Sequence, residues 1–406
     1  MSVTAFIGAG AVLGIGGPTT ADLTAAIKRR RQWRGNPRHR FAKVSAIREV
    51  ADALDLYFQP ATANFEDIFH AIESLESLRV GLQAGTAKEF KPALGAFVTR
   101  NAGTLDNPIV IKQALNQIID EVASKVMRYV RGFRPRTTHL WFRDFWRNAT
   151  ARCPLDVATL NYDDCIERSL HPGSWDDGFA NLDPGIFRFD PIRITNSRGT
   201  RVIHMHGSVF YGYPQFRNPN RFLFEDQHED LYRFTSHRQA KLNWHWRSQN
   251  HAQSGDSAIA GPIITGQRKT DKLLAYPYST YQTVLHDALL KNSRLLIAGY
   301  GFGDLHFNRL LGRLTRIHGD NRRVVLIDFV PMNLRGAGWH PDPAVRDWPN
   351  DNTLQAAGIL GRENRPLEGR YRHPWVSSDG RCRVYLEGFQ DAVQNHGADI
   401  INFLTT

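Results

Sequence analysis

The sequence predicts an α/β protein built on a doubly wound parallel sheet. Three observations support this prediction. An apolar strand, a glycine-rich turn and a helix open the chain, short apolar runs alternate with helical patterns after residue 150, and residues 30–150 between them are nearly all helical. We therefore expect a Rossmann-like sheet with a large helical insertion or a second helical domain, and ligands at the carboxyl ends of the strands.

The pattern of the first segment predicts a phosphate-binding turn between a strand and a helix. Residues 3–7 form a buried strand, and a helix over residues 19–31 follows the turn. Glycines let a backbone approach a ligand closely, and the first turn of a helix attracts anions. Leu13 breaks the full dinucleotide fingerprint, so an ordinary tight turn stays open as an alternative. The turn itself consists of Gly8, Ala9, Gly10 and Ala11.

Helical periodicity continues through the predicted insertion. Apolar residues recur at helical spacing in four segments, which are residues 41–58, 64–78, 108–130 and 137–149. We assign residues 1–30 and 151–345 to the sheet domain and residues 31–150 to the helical insertion. Residues 346–406 form a C-terminal segment of unassigned role.

The alternating pattern resumes after the insertion. The predicted strands are residues 155–160, 202–209, 262–265, 294–299, 324–328 and 383–386. The predicted helices are residues 165–170, 281–291, 306–317 and 389–403, with a loop-rich stretch over 171–200 and a helical excursion over 218–251.

Composition narrows the class of protein. The chain has 406 residues, of which 42% are hydrophobic and 22% charged, as in soluble globular proteins. No apolar run approaches the roughly 20 residues of a membrane span, and the glycine loop comes too early for a secretory signal. The three cysteines form no C-x-x-C pair, which argues against a zinc ribbon or disulfide framework. We expect a cytoplasmic protein with no metal and no membrane partner.

The chain has a net charge of +11, and its basic residues are most concentrated in residues 28–43. Such a cluster could be a solvated face, a contact for an acidic protein, or a contact for a nucleic-acid backbone. The sequence leaves these three open.

Polar residues stand at the ends of the later strands. Asn161 could orient a water molecule or a ribose hydroxyl, or cap the helix that follows. His206 titrates near neutral pH and could act as a general base, or be a core histidine. His204 alternates with it and should face the other side of the strand, in a structural role.

The remaining strand ends are also candidates. Asp163 could accept from a ligand or cap a helix, and Asp328 could bind ribose hydroxyls or cap a turn. The loop over residues 299–303 could lie against a cofactor or be a tight turn. Tyr300 and Phe302 could line a pocket, and Asp304 is predicted to be the N-cap of the next helix.

In this order the motifs resemble the sirtuin-like NAD-binding family. The matching residues are Gly8, Ala9 and Gly10, then Thr159, Asn161 and Asp163, then His206 and Gly207, then Gly299, Gly301 and Gly303, and finally Asp328. The resemblance implies NAD as the bound substrate and catalytic roles for Asn161 and His206. It implies binding roles for Gly8, Ala9, Gly10, Ala11, Thr159, Asp163, Gly207, Gly299, Gly301, Phe302 and Asp328.

Departures from the family narrow the resemblance. The two C-x-x-C pairs of sirtuin deacylases are missing, Gly17 and Pro18 stand in the place of their Pro-Asp-Phe-Arg signature, and Leu160 replaces a glutamine. A helical insertion stands near where the zinc module would complete an acyl-lysine groove. The chain therefore looks like the bacterial sirtuin-like NAD hydrolases of antiviral defence.

A chain of this size resembles the type that pairs with a HerA-type hexameric ATPase. That resemblance implies NAD hydrolysis, a homo-oligomer, the ATPase partner, and nucleic-acid contact through the complex. Two alternatives remain, a sirtuin-type deacylase or ADP-ribosyltransferase, and a non-catalytic nucleotide-binding scaffold of a DNA-processing complex.

Overall fold

The fold is taken from a computed structural model, which describes residues 2–29, 46–83, 108–213, 231–244, 262–266, 273, 276–329 and 374–406. Predictions for residues 30–45, 214–230 and 245–261, including most of the basic cluster, lie outside the described residues. Lys28 belongs to the described part and forms an ion pair with Asp55 at 2.7 Å.

An eight-stranded sheet forms the centre of the molecule, in the order β11-β12-β10-β9-β1-β2-β6-β3. All neighbouring strands are parallel except β11 and β12. The strands are β1 Val3–Ile7, β2 Leu155–Thr159, β3 Trp175–Asp176, β6 Thr200–His204, β9 Arg294–Ala298, β10 Arg323–Ile327, β11 Trp375–Val376 and β12 Cys382–Tyr385. The predicted α/β class with a mostly parallel sheet is confirmed.

Helices cover both faces of this sheet. The helices before β2 are α1 Thr20–Arg29, α2 Ala46–Tyr57, α3 Phe65–Gln83, α4 Pro108–Gly132 and α5 Leu140–Arg152. The later ones are α6 Cys165–Ser169, α7 Pro191–Asn196, α8 His237–Leu242, α9 Tyr278–Lys291, α10 Leu305–Leu311, α11 Leu314–His318 and α12 Phe389–Thr405.

Two hydrophobic cores separate the three layers. Successive side chains of a strand point to opposite faces. In β1, Val3, Ala5 and Ile7 accordingly join the core shared with α1–α5 and α12, whereas Phe6 joins the core on the side of α9–α11. All five residues of β1 are buried, as expected for a central parallel strand.

The chain order creates a switch point beside β1. From β1 the chain continues to β2 and β6 on one side, and later to β9, β10 and β12 on the other. Loops that leave adjacent strands in opposite directions open a crevice at the carboxyl end of the sheet. The loops after β1 and β9 border this crevice.

The end of the chain belongs to the same core. Strand β12 pairs with β10, and α12 begins at Phe389, which packs against an aromatic group on α5. Ring centroids lie between 5.5 and 6.2 Å from Phe389 in Trp141, Phe142, Phe145 and Trp146.

Three predictions of secondary structure were wrong. The stretch 171–200, expected to be loop-rich, contains β3, α7 and part of a second, antiparallel sheet. The order of that sheet is β4 Phe179–Asp183, β5 Ile186–Phe189, β8 Tyr232–Phe234 and β7 Tyr211–Gly212, so the expected helical excursion includes a strand before α8. The helix expected over 306–317 is divided into α10 and α11 around Gly312.

Candidate functional site

A cleft of about 940 Å³ lies at the carboxyl ends of the central strands. It is bordered by the loops after β1, β2, β6 and β9 and by the helical segment from α1 to α4. Eight of the residues singled out from the sequence as candidates for the site line it, namely Gly8, Ala9, Asn161, His206, Gly299, Tyr300, Gly301 and Gly303. The topology thus brings four separate motifs to one opening.

The two glycine loops pack directly against each other. Gly8 N donates to Ala298 O at 2.9 Å and Gly10 N donates to Gly299 O at 2.9 Å. A Cβ added to Gly8 would lie 2.4 Å from Gly299 O, and one added to Gly10 would lie 2.7 Å from Gly299 Cα. Contact between the loops therefore requires these glycines, as the alternative of a tight turn implies, and the binding of a phosphate by this turn stays a prediction.

Asn161 lies just after β2 and is 7% exposed. Its Nδ2 donates to Gly8 O at 3.1 Å, and its backbone N donates to Thr159 Oγ1 at 3.0 Å. The N-cap position of α6 belongs to Asp164, so Asn161 does not cap that helix. Within the described part of the chain no group donates to Asn161 Oδ1, which leaves this oxygen able to accept from a ligand or water.

A buried ion pair between His204 and Glu167 contacts the backbone of Asn161. His204 Nε2 lies 2.5 Å from Glu167 Oε1, and His204 Nδ1 lies 3.3 Å from the backbone oxygen of Asn161. Burial opposes protonation of the ring, but the Glu167 carboxylate outweighs it and raises the pKa of His204 to about 9. At neutral pH the imidazolium therefore donates to both partners, which agrees with the structural role predicted for His204.

His206 lies two residues beyond the end of β6, with its side chain 5% exposed. Its ring lies beside Phe307, with the centroids 5.9 Å apart. Its Nε2 lies 3.8 Å from Oδ2 of Asp304, which comes from the loop after β9. An imidazole and a carboxylate therefore face each other inside the cleft.

Asp304 occupies the N-cap position of α10, as the sequence predicts. Its side chain makes no capping hydrogen bond to that helix. The Asp304 side chain is 16% exposed and lines the cleft, where its Oδ2 lies 3.8 Å from His206 Nε2.

Gly207 serves the turn that follows His206. Its φ of +86° is in the left-handed region, and an added Cβ would lie 2.1 Å from Pro262 O. His206 O accepts from Ile264 N at 2.8 Å, and residues 207 and 263 form an isolated antiparallel bridge. The short strand predicted over residues 262–265 is present only as this isolated bridge. The bridge holds the backbone next to His206.

The helical insertion forms one side of the cleft. Asn64 caps α3, because its Oδ1 accepts from Glu66 N at 2.8 Å and Asp67 N at 3.2 Å. Asp67 Oδ2 accepts from Asn64 N at 3.0 Å in return, a reciprocal capping box. The side chains of Glu66 and Asp67, the two acidic residues of this turn, both line the cleft.

Tyr162 also lines the cleft, and its hydroxyl donates to Ile264 O at 3.2 Å. Burial raises the pKa of Tyr162 well above its ordinary value, and the Glu66 and Asp304 carboxylates raise it further. The phenol therefore stays protonated at neutral pH.

Among the described residues lining the cleft, Arg309 is the only arginine or lysine.

Seven predicted binding residues do not line the cleft, namely Gly207, described above, and six others. Thr159 is buried behind Asn161, and the carboxylate of Asp163 accepts from the Tyr129 hydroxyl and from Cys165 N. Asp328 Oδ1 accepts from Phe329 N at 2.8 Å, at the end of the neighbouring strand β10. The other three are Gly10, Ala11 and Phe302. Their roles toward a ligand stay predictions.

Sequence reasoning missed several residues of the cleft. Asn64 was recognised as a helix start, but nothing in the pattern placed it opposite Asn161. Arg309 had no signal beyond its position one turn into a helix that follows a glycine-rich loop. Both depend on contacts between elements far apart in the chain.

Neither a cluster of metal ligands nor a membrane-spanning helix occurs among the described residues. These contain no group of three or more His, Cys, Asp or Glu side chains placed to hold a metal ion. No helix among them combines the length and apolar character that crossing a membrane requires.

Residues 156–340 match the family model of the SIR2-like domain. No curated protein matches the chain at a significant level. Since SIR2-like domains generally belong to enzymes that use NAD, the match supports a sirtuin-like family and an NAD-related activity. The matched range begins in β2, and the sheet places β1 and the first glycine loop between β2 and β9.

Proposed function

We propose that this protein hydrolyses the nicotinamide–ribose bond of NAD, releasing nicotinamide and ADP-ribose. One observation supports the proposal above the others. Asn161 and His206 lie in the same cleft as the two packed glycine loops, at the switch point of a sheet whose sequence matches a SIR2-like domain. A volume of about 940 Å³ is enough for a dinucleotide and a water molecule.

The glycine loops fit the binding of the dinucleotide backbone. Gly301 and Gly303 line the cleft, and a Cβ added to either would meet nothing within 4 Å. The exposed loop can therefore approach a ligand closely. The guanidinium of Arg309 would pair with a phosphate oxygen, since it is a charged planar donor at the same wall.

Cleavage requires positive charge to develop on the ribose. As the glycosidic bond lengthens, C1′ and the ring oxygen share an oxocarbenium-like charge. Asn161 Oδ1 would accept from the attacking water or a ribose hydroxyl, while Nδ2 stays bonded to Gly8 O. Because the His204 pair also holds the Asn161 backbone, the amide is already oriented before substrate binds.

His206 would act as the general base. Water attacks C1′ while one of its protons passes to the imidazole, and the bonding electron pair leaves with the pyridine nitrogen of nicotinamide. The imidazolium then releases the proton to solvent. One NAD and one water thus give nicotinamide, ADP-ribose and one proton.

A deacylase or ADP-ribosyltransferase would need room for a second substrate. The capping box of α3 lines the cleft with the Glu66 and Asp67 side chains. We propose that this helical side of the cleft favours water as the acceptor over a protein side chain.

The biological role proposed for this reaction is depletion of NAD during bacterial antiviral defence. Its support is the resemblance of the motifs, chain length and helical insertion to that group of proteins. On the same support we propose a cytoplasmic homo-oligomer that works with a HerA-type hexameric ATPase, and that contacts nucleic acid through the complex.

The test is release of nicotinamide and ADP-ribose from NAD by purified protein, with and without a HerA-type ring ATPase as the proposed partner. Asn161→Ala and His206→Ala should each lower the rate by about 100-fold or more, the usual effect of removing an acid–base or orienting group. His171→Ala and Asn402→Ala, exposed and outside the cleft, are matched controls that should retain it.

Intact NAD after incubation with wild-type protein in both conditions would refute NAD hydrolysis. Turnover by wild type that Asn161→Ala and His206→Ala leave unchanged would refute the assigned residues.

A further inference from the structure

We propose that Asp304 is a positioning residue for His206, orienting the imidazole and stabilising the imidazolium that forms when His206 takes a proton from water. This inference rests on the proposed hydrolysis of NAD. It gives the Asp304 side chain a role in the reaction, in addition to the position of this residue at the start of α10.

The geometry brings the two side chains together from distant parts of the sequence. His206 follows β6 and Asp304 follows β9, and these strands lie on opposite sides of β1 and β2 in the sheet. Their closest atoms, His206 Nε2 and Asp304 Oδ2, are 3.8 Å apart. With 5% and 16% of their side chains exposed, both groups are largely shielded from water, so their charges act on each other with little screening.

The local structure directs Asp304 toward this contact. An aspartate at an N-cap position ordinarily bonds to a backbone N–H of its own helix, and this one does not. Its backbone has other contacts, since the Tyr300 hydroxyl lies 3.1 Å from Asp304 O and 2.9 Å from Asn308 Oδ1, its proton shared between these two acceptors. The Asp304 carboxylate is thus not used by its own helix and lines the cleft.

The imidazole is confined from other sides. The Phe307 ring packs beside it, and the bond from Ile264 N to His206 O fixes its backbone. The Asp304 carboxylate, which faces Nε2, would restrict rotation of the ring and favour one orientation of its two nitrogens.

Other ionisable groups face the same space. Glu66 reaches it from α3, Tyr162 from the loop after β2, and His306 and Arg309 from α10. Tyr162 stays neutral near pH 7, because burial raises its pKa well above the ordinary value. Among these groups, Asp304 faces His206 at ion-pair distance, with Oδ2 3.8 Å from Nε2.

The chemistry gives Asp304 a defined effect. When water attacks C1′ and the nicotinamide bond breaks, the proton moves from water to His206 and creates a positive charge 3.8 Å from the carboxylate. The carboxylate favours this charged form, so it makes the histidine a stronger base. Removing the charge of Asp304 should weaken His206 as a base but leave its imidazole in place.

The test compares Asp304→Asn, Asp304→Glu and the wild type, with Asp183→Asn as a matched control on an exposed strand of the second sheet. For Asp304→Asn we expect kcat to fall about 10- to 100-fold and KM for NAD to change less than threefold. The acid limb of its kcat profile should move to lower pH by about one unit, because the imidazolium has lost its charged neighbour. Asp304→Glu should restore part of kcat, and Asp183→Asn should match the wild type.

A second measurement is independent of turnover. The NMR titration of the His206 ring, assigned by comparison with His206→Gln, should have a lower midpoint in Asp304→Asn than in the wild type. A lowered midpoint in a protein that leaves NAD intact would uphold the pairing and refute the proposed hydrolysis. An unchanged midpoint and an unchanged kcat profile in a folded Asp304→Asn variant would overturn the role of Asp304.

Discussion

Replacing Gly299 with alanine tests the contact between the two glycine loops. Gly299 follows β9 with a φ of +61°, a left-handed conformation that side chains rarely adopt. An added Cβ would lie 2.0 Å from Ala11 N and 2.4 Å from Gly10 C. Both neighbours are backbone atoms of the glycine turn after β1, so they cannot rotate aside as a side chain would.

The expected cost has two parts. A left-handed conformation costs a residue with a Cβ about 1–2 kcal/mol. Relieving the overlap requires the backbone of one loop to shift, which by analogy with overpacked cores costs about 1–3 kcal/mol more. We therefore expect Gly299→Ala to lower the free energy of unfolding by about 2–5 kcal/mol, a large part of the roughly 5–15 kcal/mol typical of folded proteins.

The assay is urea unfolding followed by tryptophan fluorescence, with Gly301→Ala as the matched control. Gly301 lies in the same loop, has no positive φ, and a Cβ added to it would meet nothing within 4 Å. The control should stay within about 0.5 kcal/mol of the wild type. Equal unfolding midpoints for Gly299→Ala and Gly301→Ala, at equal slopes, would refute the argument that loop contact requires Gly299.

Two further predictions concern charge. The His204 pKa of about 9 lies above the ordinary value near 6.5, so the ion pair with Glu167 contributes fully below pH 6.5 and its contribution is lost as pH rises through 9. Glu167→Gln should therefore destabilise the protein by about 3–5 kcal/mol at pH 6, with a difference from the wild type that narrows toward pH 10, measured as urea midpoints at pH 6, 8 and 10. A difference that stays constant or widens across this range would contradict the linkage. Arg309→Ala should raise KM for NAD about tenfold with little change in kcat, and should reduce the dependence of KM on salt in steady-state kinetics. An unaltered KM would remove Arg309 from the phosphate contacts.

The fold could be predicted because its signals are local and repeated. The apolar runs at residues 3–7, 155–160 and 294–299 are short, continuous and followed by glycine or polar residues, a combination typical of central parallel strands. The second sheet could not be found in this way. Its strands are two to five residues long, too short for alternation to show, and its third member, β8, is separated from β5 by more than 40 residues.

The candidate site could be predicted only in part, for a related reason. Parallel strands end at one edge of a sheet, so residues that follow the strands, such as Asn161 and His206, were expected to meet. Gly10 and Gly299 show the limit of the pattern. A glycine required by a ligand and a glycine required by a neighbouring loop have the same signature in a sequence, and only the distances between the loops separate the two.

Asp304 shows the same limit for a charged residue. An aspartate before a helix predicts a cap, and the alternative becomes visible only once β9 is known to bring that residue within 3.8 Å of His206. On the other side of the sheet edge, His204 has a carboxylate partner 2.5 Å away and a fixed positive charge at neutral pH. Two histidines two positions apart therefore differ in which carboxylate each meets and at what distance. His204, in its close and buried pair with Glu167, holds its proton and supports Asn161, whereas His206 has the longer contact with Asp304 in the cleft, where the proposed reaction uses it as a base.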